Sequence, residues 1–279
     1  MPNVSGRPLK RFSLFRKIAI GSWTSVGDPS VYGSLEVDME AALAYLKAYR
    51  EATGKRLTVT HLVAKAMGQV LYDHPDANAL LRWNRIFLRD EVVVFMQVAM
   101  QDEASGKADL SGLTIRNPHQ KSLGEILEEV EDKARRVRER RDPSLERTRG
   151  IFKYLPHMVL NDFLKLVAFL SYDLNLDLSW AGMPKDPFGA VMITNIGSLG
   201  LDEAYVPLIP YSRVPLFLAL GAVREVPKVR DGVICARRTM KIYATFDHRF
   251  LDGVQAAAMS RTLRDWLEAP EVHFGAISA

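Results

Sequence analysis

The sequence predicts an α+β protein, and three observations carry that prediction. Apolar residues recur at helical spacing in some segments and run continuously, rich in β-branched residues, in others. The two kinds of segment follow one another without the regular strand–helix alternation of a doubly wound sheet. No internal repeat and no Gly/Ser-rich linker divides the 279 residues, so a single domain over 1–279 is expected.

Residues 31–38 form a strand-like run with Gly33 inside it. Residues 39–51 place Ala42, Leu43, Leu46 and Tyr49 on one stripe, and Gly54 lies just past the end of that helix. A second helix begins near Thr60, presents Leu62, Val63, Ala66, Met67, Val70 and Leu71, and stops before Pro75. The continuous apolar run 92–100 suits a buried strand, and 110–116 a further one. Ser122 and Glu125 make a capping box that opens a helix carrying Leu123, Ile126, Leu127, Val130, Ala134 and Val137. Residues 151–180 are apolar yet broken by Lys, Asp and Pro, a pattern for two short helices. Strands are then expected at 190–195, 214–223 and 240–246, with a hairpin about Asp231-Gly232. A last helix runs from Gly253 to about Glu268.

Hydrophobic residues at 48% and charged residues at 25% exclude a disordered chain. No apolar run of eighteen residues occurs, so no transmembrane segment is expected, and the first residues lack the apolar stretch of a secretory signal. Cys235 is the sole cysteine, which excludes an internal disulfide and a Cys-rich metal site and fits a reducing compartment. The six histidines, at 61, 74, 119, 157, 248 and 273, include no pair at ligand spacing. The expectation is a soluble cytoplasmic protein without a metal. Net charge is only +4, and the basic residues between Lys133 and Arg149 follow an acidic stretch at 125–132. That order makes a salt-bridged helix and argues against a nucleic-acid partner.

The chemistry concentrates in two stretches. The first is Thr245-Phe-Asp-His-Arg-Phe-Leu-Asp-Gly253, between a predicted strand and the last helix. His248 there suits a general base, because an imidazole ordinarily titrates at about 6.5 and cycles at neutral pH. Asp252, beside a glycine, can fix the loop or balance charge. The second is Phe188-Gly-Ala-Val-Met-Ile-Thr-Asn-Ile-Gly-Ser-Leu-Gly200, a strand entering a glycine-rich turn with Thr194 at the strand end. A hydroxyl there can face a developing oxyanion. Its glycines lack the G-x-G-x-x-G spacing of a dinucleotide site.

Together and in this order, the two stretches resemble the catalytic domain of the dihydrolipoamide acyltransferases of 2-oxo acid dehydrogenase complexes, which share one fold with the chloramphenicol acetyltransferases. The family signature Asp-His-Arg-x-x-Asp-Gly stands here as Asp247 to Gly253, and Thr194-Asn195-Ile196-Gly197 is similar to its Ser/Thr-Asn-x-Gly turn. Weaker likeness extends through residues 29–38, 61–79, 112–126 and 215–223. The resemblance implies a two-layer sandwich of mixed sheet and packed helices. It implies a coenzyme A-dependent acyl transfer between a thioester and a thiol, with coenzyme A or its acyl form as substrate. His248 would be the base, Thr194 the oxyanion donor, and Asp252 an architectural group holding an arginine, with Arg16 the best candidate. It also implies a homotrimer, or a larger assembly of trimers, with the site formed between copies.

Three departures stand out. No lipoyl domain is expected before the catalytic region. Glu131-Asp132-Lys133-Ala134 only mimics the lipoyl-lysine motif from mid-helix, so no covalent lipoyl group is expected, and the lipoyl arm would belong to a separate protein. Residues 145–187 are an apparent insertion. Residues 108–115 lack the family's proline-bearing strand. From a different class, the alternative reading is a non-catalytic, self-assembling scaffold that retains the fold.

Overall fold

A computed structural model of the chain describes residues 2–9, 28–101, 108–139 and 156–277. In chain order, the short strand Gly6–Pro8 (β1) is followed by Ser30–Asp38 (β2). Helix Glu40–Thr53 (α1) ends at Gly54, whose φ of 70° is the left-handed cap that glycine adopts without strain. Helix Val59–Asp73 (α2) comes next, then strands Ala79–Arg82 (β3), Arg85–Arg89 (β4), Val93–Gln101 (β5) and Ala108–Arg116 (β6). Helix Leu123–Arg138 (α3) opens with the expected box, in which Ser122 and Glu125 each satisfy the other's backbone N–H. Helix Leu160–Ala168 (α4) precedes strands Val191–Asn195 (β7), Leu216–Leu220 (β8), Arg224–Arg230 (β9) and Val233–Asp247 (β10). Helices Gly253–Glu268 (α5) and Pro270–His273 (α6) close the chain.

The large sheet has the order β2-β10-β8-β7-β5-β6, with β9 paired to the first half of β10. It is mixed: β7 runs parallel to β5 and β8, while the other pairs are antiparallel. Alternation along each strand sorts the side chains onto two faces. Val37, Val94, Ile193, Leu218 and Ile242 join the core shared with the buried stripes of α2, α3 and α5. Met192 and Phe217 point the other way and pack with Phe95, Phe188, Leu208 and Ile209. Helices α2, α3 and α5 therefore cover one face, and irregular chain lies over part of the other. This is the two-layer α+β sandwich that the sequence predicts.

Three details correct the reading from sequence. The strand expected at 240–246 is the second half of β10, which continues unbroken from the Asp231-Gly232 turn. A second sheet, β1-β4-β3, was not foreseen. Its hairpin turns at Trp83-Asn84, both with positive φ, and tryptophan is not a residue that signals such a turn. Within 151–180, the described part holds one α-helix, α4, that runs into a π-turn at Phe169–Asp173, with short 3-10 turns at His157–Val159 and Ser179–Ala181.

That segment is fastened to the second sheet. Arg89 and Asp186 pair at 3.1 Å with side chains 1% and 6% exposed. The Asn3 amide accepts from the Asp186 N–H and donates to the Ser171 carbonyl. Arg82 donates to the Tyr172 carbonyl at 2.6 Å, and the Trp83 indole to the Asp173 carbonyl at 3.1 Å. Residues 145–155 of the expected insertion lie outside the described residues, as do Arg140, Arg141, Arg147 and Arg149 of the basic cluster. Within that cluster, Arg135 and Arg136 each meet Asp132 at 2.6 Å. Lys133 sits inside α3, bonded to Glu129 and to the Thr114 carbonyl.

Candidate active site

His248 stands on the turn between β10 and α5, and every segment around it is tied down. Asp247 donates its N–H to the Pro215 carbonyl and His248 to the Pro29 carbonyl, both at 2.9 Å. Phe250 and Leu251 are buried, and both donate backbone N–H groups to the Asp247 carbonyl. The turn is closed by the imidazole itself, whose Nδ1 lies 2.7 Å from the Leu251 carbonyl oxygen. A carbonyl can only accept, so Nδ1 carries the proton, and in the neutral ring the accepting lone pair is on Nε2. A rigid turn thus fixes both the ring and its tautomer.

Asp252 is the N-cap of α5. Its carboxylate accepts from the N–H groups of Val254 and Gln255 at 2.9 and 3.0 Å, while Gln255 returns a bond to the Asp252 N–H. The cap anchors the residue next to Leu251, so Asp252 positions the carbonyl that holds His248. Arg16, its expected partner, lies outside the described residues. Asp247 and Arg249 form a two-pronged ion pair across His248, at 2.6 and 2.9 Å, with the Asp247 carboxylate buried. The sequence reading had assigned no role to that pair.

Thr194 is half-buried at the end of β7, on the same face as Met192. The turn beyond it is organised by Asn195, which donates to the Thr60 hydroxyl and accepts from the Ser198 N–H, both at 3.0 Å. A side chain at Gly197 would put its Cβ 2.6 Å from the Gly221 carbonyl oxygen, so glycine is required for this turn to lie on the end of β8. Asn195 was overlooked as an organiser. The signal was present, since asparagine side chains commonly bond nearby backbone groups in turns.

The register shows what one copy does not bring together. Thr194 pairs with Ala219 on β8, and Ala219 pairs with Tyr243 on β10. His248 is five residues beyond Tyr243, so the two groups are about 16 Å apart along the strands and two strands apart across them, at about 3.3 Å per residue. Within one chain they cannot meet at one reacting carbonyl.

Beside the His248 turn opens a cleft of about 1120 Å3. Asp247, Arg249 and Phe250 lie on one wall, Leu160, Leu164 and Ala168 of α4 on another, and the 207–214 loop on a third. No group of three or more His, Cys, Asp or Glu among the described residues is placed to hold a metal. No described helix is long and apolar enough to cross a membrane.

Comparison with known proteins gives the family and the fold. The family model for the 2-oxoacid dehydrogenases acyltransferase (catalytic domain) matches residues 20–152 and 188–274, and leaves 153–187 unmatched. The dihydrolipoyllysine-residue acetyltransferase component of the acetoin cleaving system of Bacillus subtilis is 26% identical over 220 residues, which are 79% of this chain and 44% of that protein. The chain thus spans under half the length of that relative. The cubic core of the pyruvate dehydrogenase multienzyme complex shares the fold, with a TM-score of 0.64 at 20% identity over 95% of this chain and 93% of that one. A chloramphenicol acetyltransferase superposes at 0.51 with 15% identity, over 94% of this chain and all of the other. With the family model matched over residues 20–152 and 188–274, the chain belongs to the 2-oxoacid dehydrogenase acyltransferase catalytic-domain family.

Proposed function

We propose that the protein transfers an acyl group between a thioester and a thiol, one of them coenzyme A, with His248 as base. The observation that carries this reading is the Nδ1–H bond to the Leu251 carbonyl, which leaves Nε2 as the proton acceptor. His248 Nε2 takes the thiol proton, and the thiolate adds to the thioester carbonyl. The Thr194 hydroxyl of a neighbouring copy donates to the oxyanion, an interaction worth about 3 kcal/mol in the transition state. When the intermediate collapses, the departing thiolate recovers the proton from His248. Asp252 serves as a positioning residue.

The separation of Thr194 from His248 supports a site shared between copies, hence a homotrimer or a larger assembly of trimers. The acceptor is a lipoyl group on a separate protein or a small thiol, in a reducing, cytoplasmic setting that suits the lone Cys235 thiol. The test is acyl transfer from acyl-coenzyme A to dihydrolipoamide. We expect His248→Ala to lower the rate by about 10²–10⁴-fold. Equal rates in the two proteins would overturn the assignment. No transfer by wild type, with trimers still formed, would favour the scaffold.

A further inference from the structure

One wall of the cleft beside His248 is built from residues that the family model does not match. That wall is α4, within the unmatched stretch 153–187. Leu160, Leu164 and Ala168 recur every four residues, so they form one stripe of that helix, and all three face the cleft. The π-turn that follows adds Phe169. The wall is held in place from beneath by the Arg89–Asp186 pair and by the Arg82 and Trp83 bonds to the π-turn carbonyls.

The charge of the lining narrows what fits. Three acids, Asp28, Asp173 and Asp247, face three bases, Lys165, Arg213 and Arg249, so the lining is neutral overall. Four of the six are already committed to one another: Arg213 meets Asp173 at 2.8 Å and Arg249 meets Asp247 at 2.6 Å. An occupant rich in phosphate or carboxylate would have to break those pairs. The remaining lining is largely aliphatic, aromatic and proline. The volume is at the upper end of what small-ligand pockets offer and far exceeds what a two-carbon group fills.

The position narrows it further. Asp247, Arg249 and Phe250 on the wall flank His248 in the chain, and Pro29, also on the wall, accepts the His248 backbone N–H. The cleft therefore borders the turn that carries the base through the neighbours of His248, with the imidazole itself outside the lining. We propose that α4 and the His248 turn together form the acyl pocket, and that the transferred group is a bulky, uncharged apolar acyl chain rather than acetyl. This inference rests on the acyltransferase reading and names the substrate class of that site.

The experiment has two parts on the full-length protein. Calorimetry compares the binding of coenzyme A, acetyl-coenzyme A, octanoyl-coenzyme A and 1-octanol, and transfer to dihydrolipoamide compares the two acyl donors. We expect octanoyl-coenzyme A to bind at least about tenfold more tightly than acetyl-coenzyme A, because each buried methylene adds to affinity. Octanol should compete with it. Leu164→Trp, which fills the cleft, should cut the octanoyl-to-acetyl ratio by about tenfold or more. Leu166→Trp, on the solvent side of the same helix, should leave that ratio as in wild type and serves as the folding control. Equal affinities for the two donors would overturn the proposal. So would a ratio unmoved by Leu164→Trp, or octanol that binds without displacing octanoyl-coenzyme A, which would mark the cleft as a site for a separate apolar molecule. Chain-length-selective binding without any transfer would leave the pocket standing and refute the acyltransferase reading instead.

Discussion

At His248, which ring nitrogen can act is decided by a backbone carbonyl, and what holds that carbonyl is a helix cap one residue later. The role of Asp252 is therefore testable apart from its charge. Asn caps a helix about as well as Asp, whereas Ala removes the cap at a cost of about 1 kcal/mol. We expect Asp252→Asn to keep its midpoint in urea unfolding within a few tenths of a kcal/mol of wild type. Asp252→Ala should lose the full amount and transfer acyl groups more slowly, since Leu251 is no longer anchored. If Asn proved as harmful to stability as Ala, the capping account of this residue would fail. His248 and Asp252 were both legible as candidates in the string Asp-His-Arg-x-x-Asp-Gly. What the string did not disclose is that Leu251, named for no role, supplies the polar contact through its main chain.

Among the elements, α2 begins with an unusual box. The His61 Nδ1 accepts the Thr58 N–H at 3.2 Å in the place commonly filled by Glu or Gln, and its Nε2 is buried without a partner among the described residues. Burial holds this imidazole down at about 4. The unfolded chain takes up this proton near pH 6.5 and the native one only near pH 4, so stability is complete above neutrality and declines as pH falls between those values. The loss amounts to about 3 kcal/mol at 1.36 kcal/mol per unit. Replacing His61 with Gln keeps the box and removes the titration, so urea melts of His61→Gln should show a flatter stability profile from pH 6.5 to 4. An unchanged slope would place the acid sensitivity elsewhere. A second element-level consequence concerns the segment carrying α4. Asp186→Ala leaves the Arg89 guanidinium buried without its carboxylate, which costs about 3–5 kcal/mol. The same melts at neutral pH check it, and a cost under 1 kcal/mol would mean that the pair does not hold the segment. Periodicity disclosed the helices α1, α2, α3 and α5 to within two residues, because each buries a clear stripe. It missed β3 and β4, which are short and turn at Trp83-Asn84, where local chemistry gives no warning.

For the whole molecule, the register of the large sheet matters most. Both site-bearing strands were visible in the sequence, but their spacing depends on β8 lying between β7 and β10, and pairing order over 50 residues leaves no periodic trace. Once β8 is in place, Thr194 and His248 are about 16 Å apart along the strands, so the proposed reaction uses both only if it joins two copies. Subunit complementation tests this most directly. His248→Ala and Thr194→Ala proteins, each nearly inactive, are co-expressed in equal amounts so that mixed assemblies form, and acyl transfer to dihydrolipoamide is measured. If each site joins the His248 of one copy to the Thr194 of the next, random mixing restores about a quarter of the wild-type rate, the chance that both intact residues meet in a closed ring. A mixture no more active than its two components would contradict the shared site.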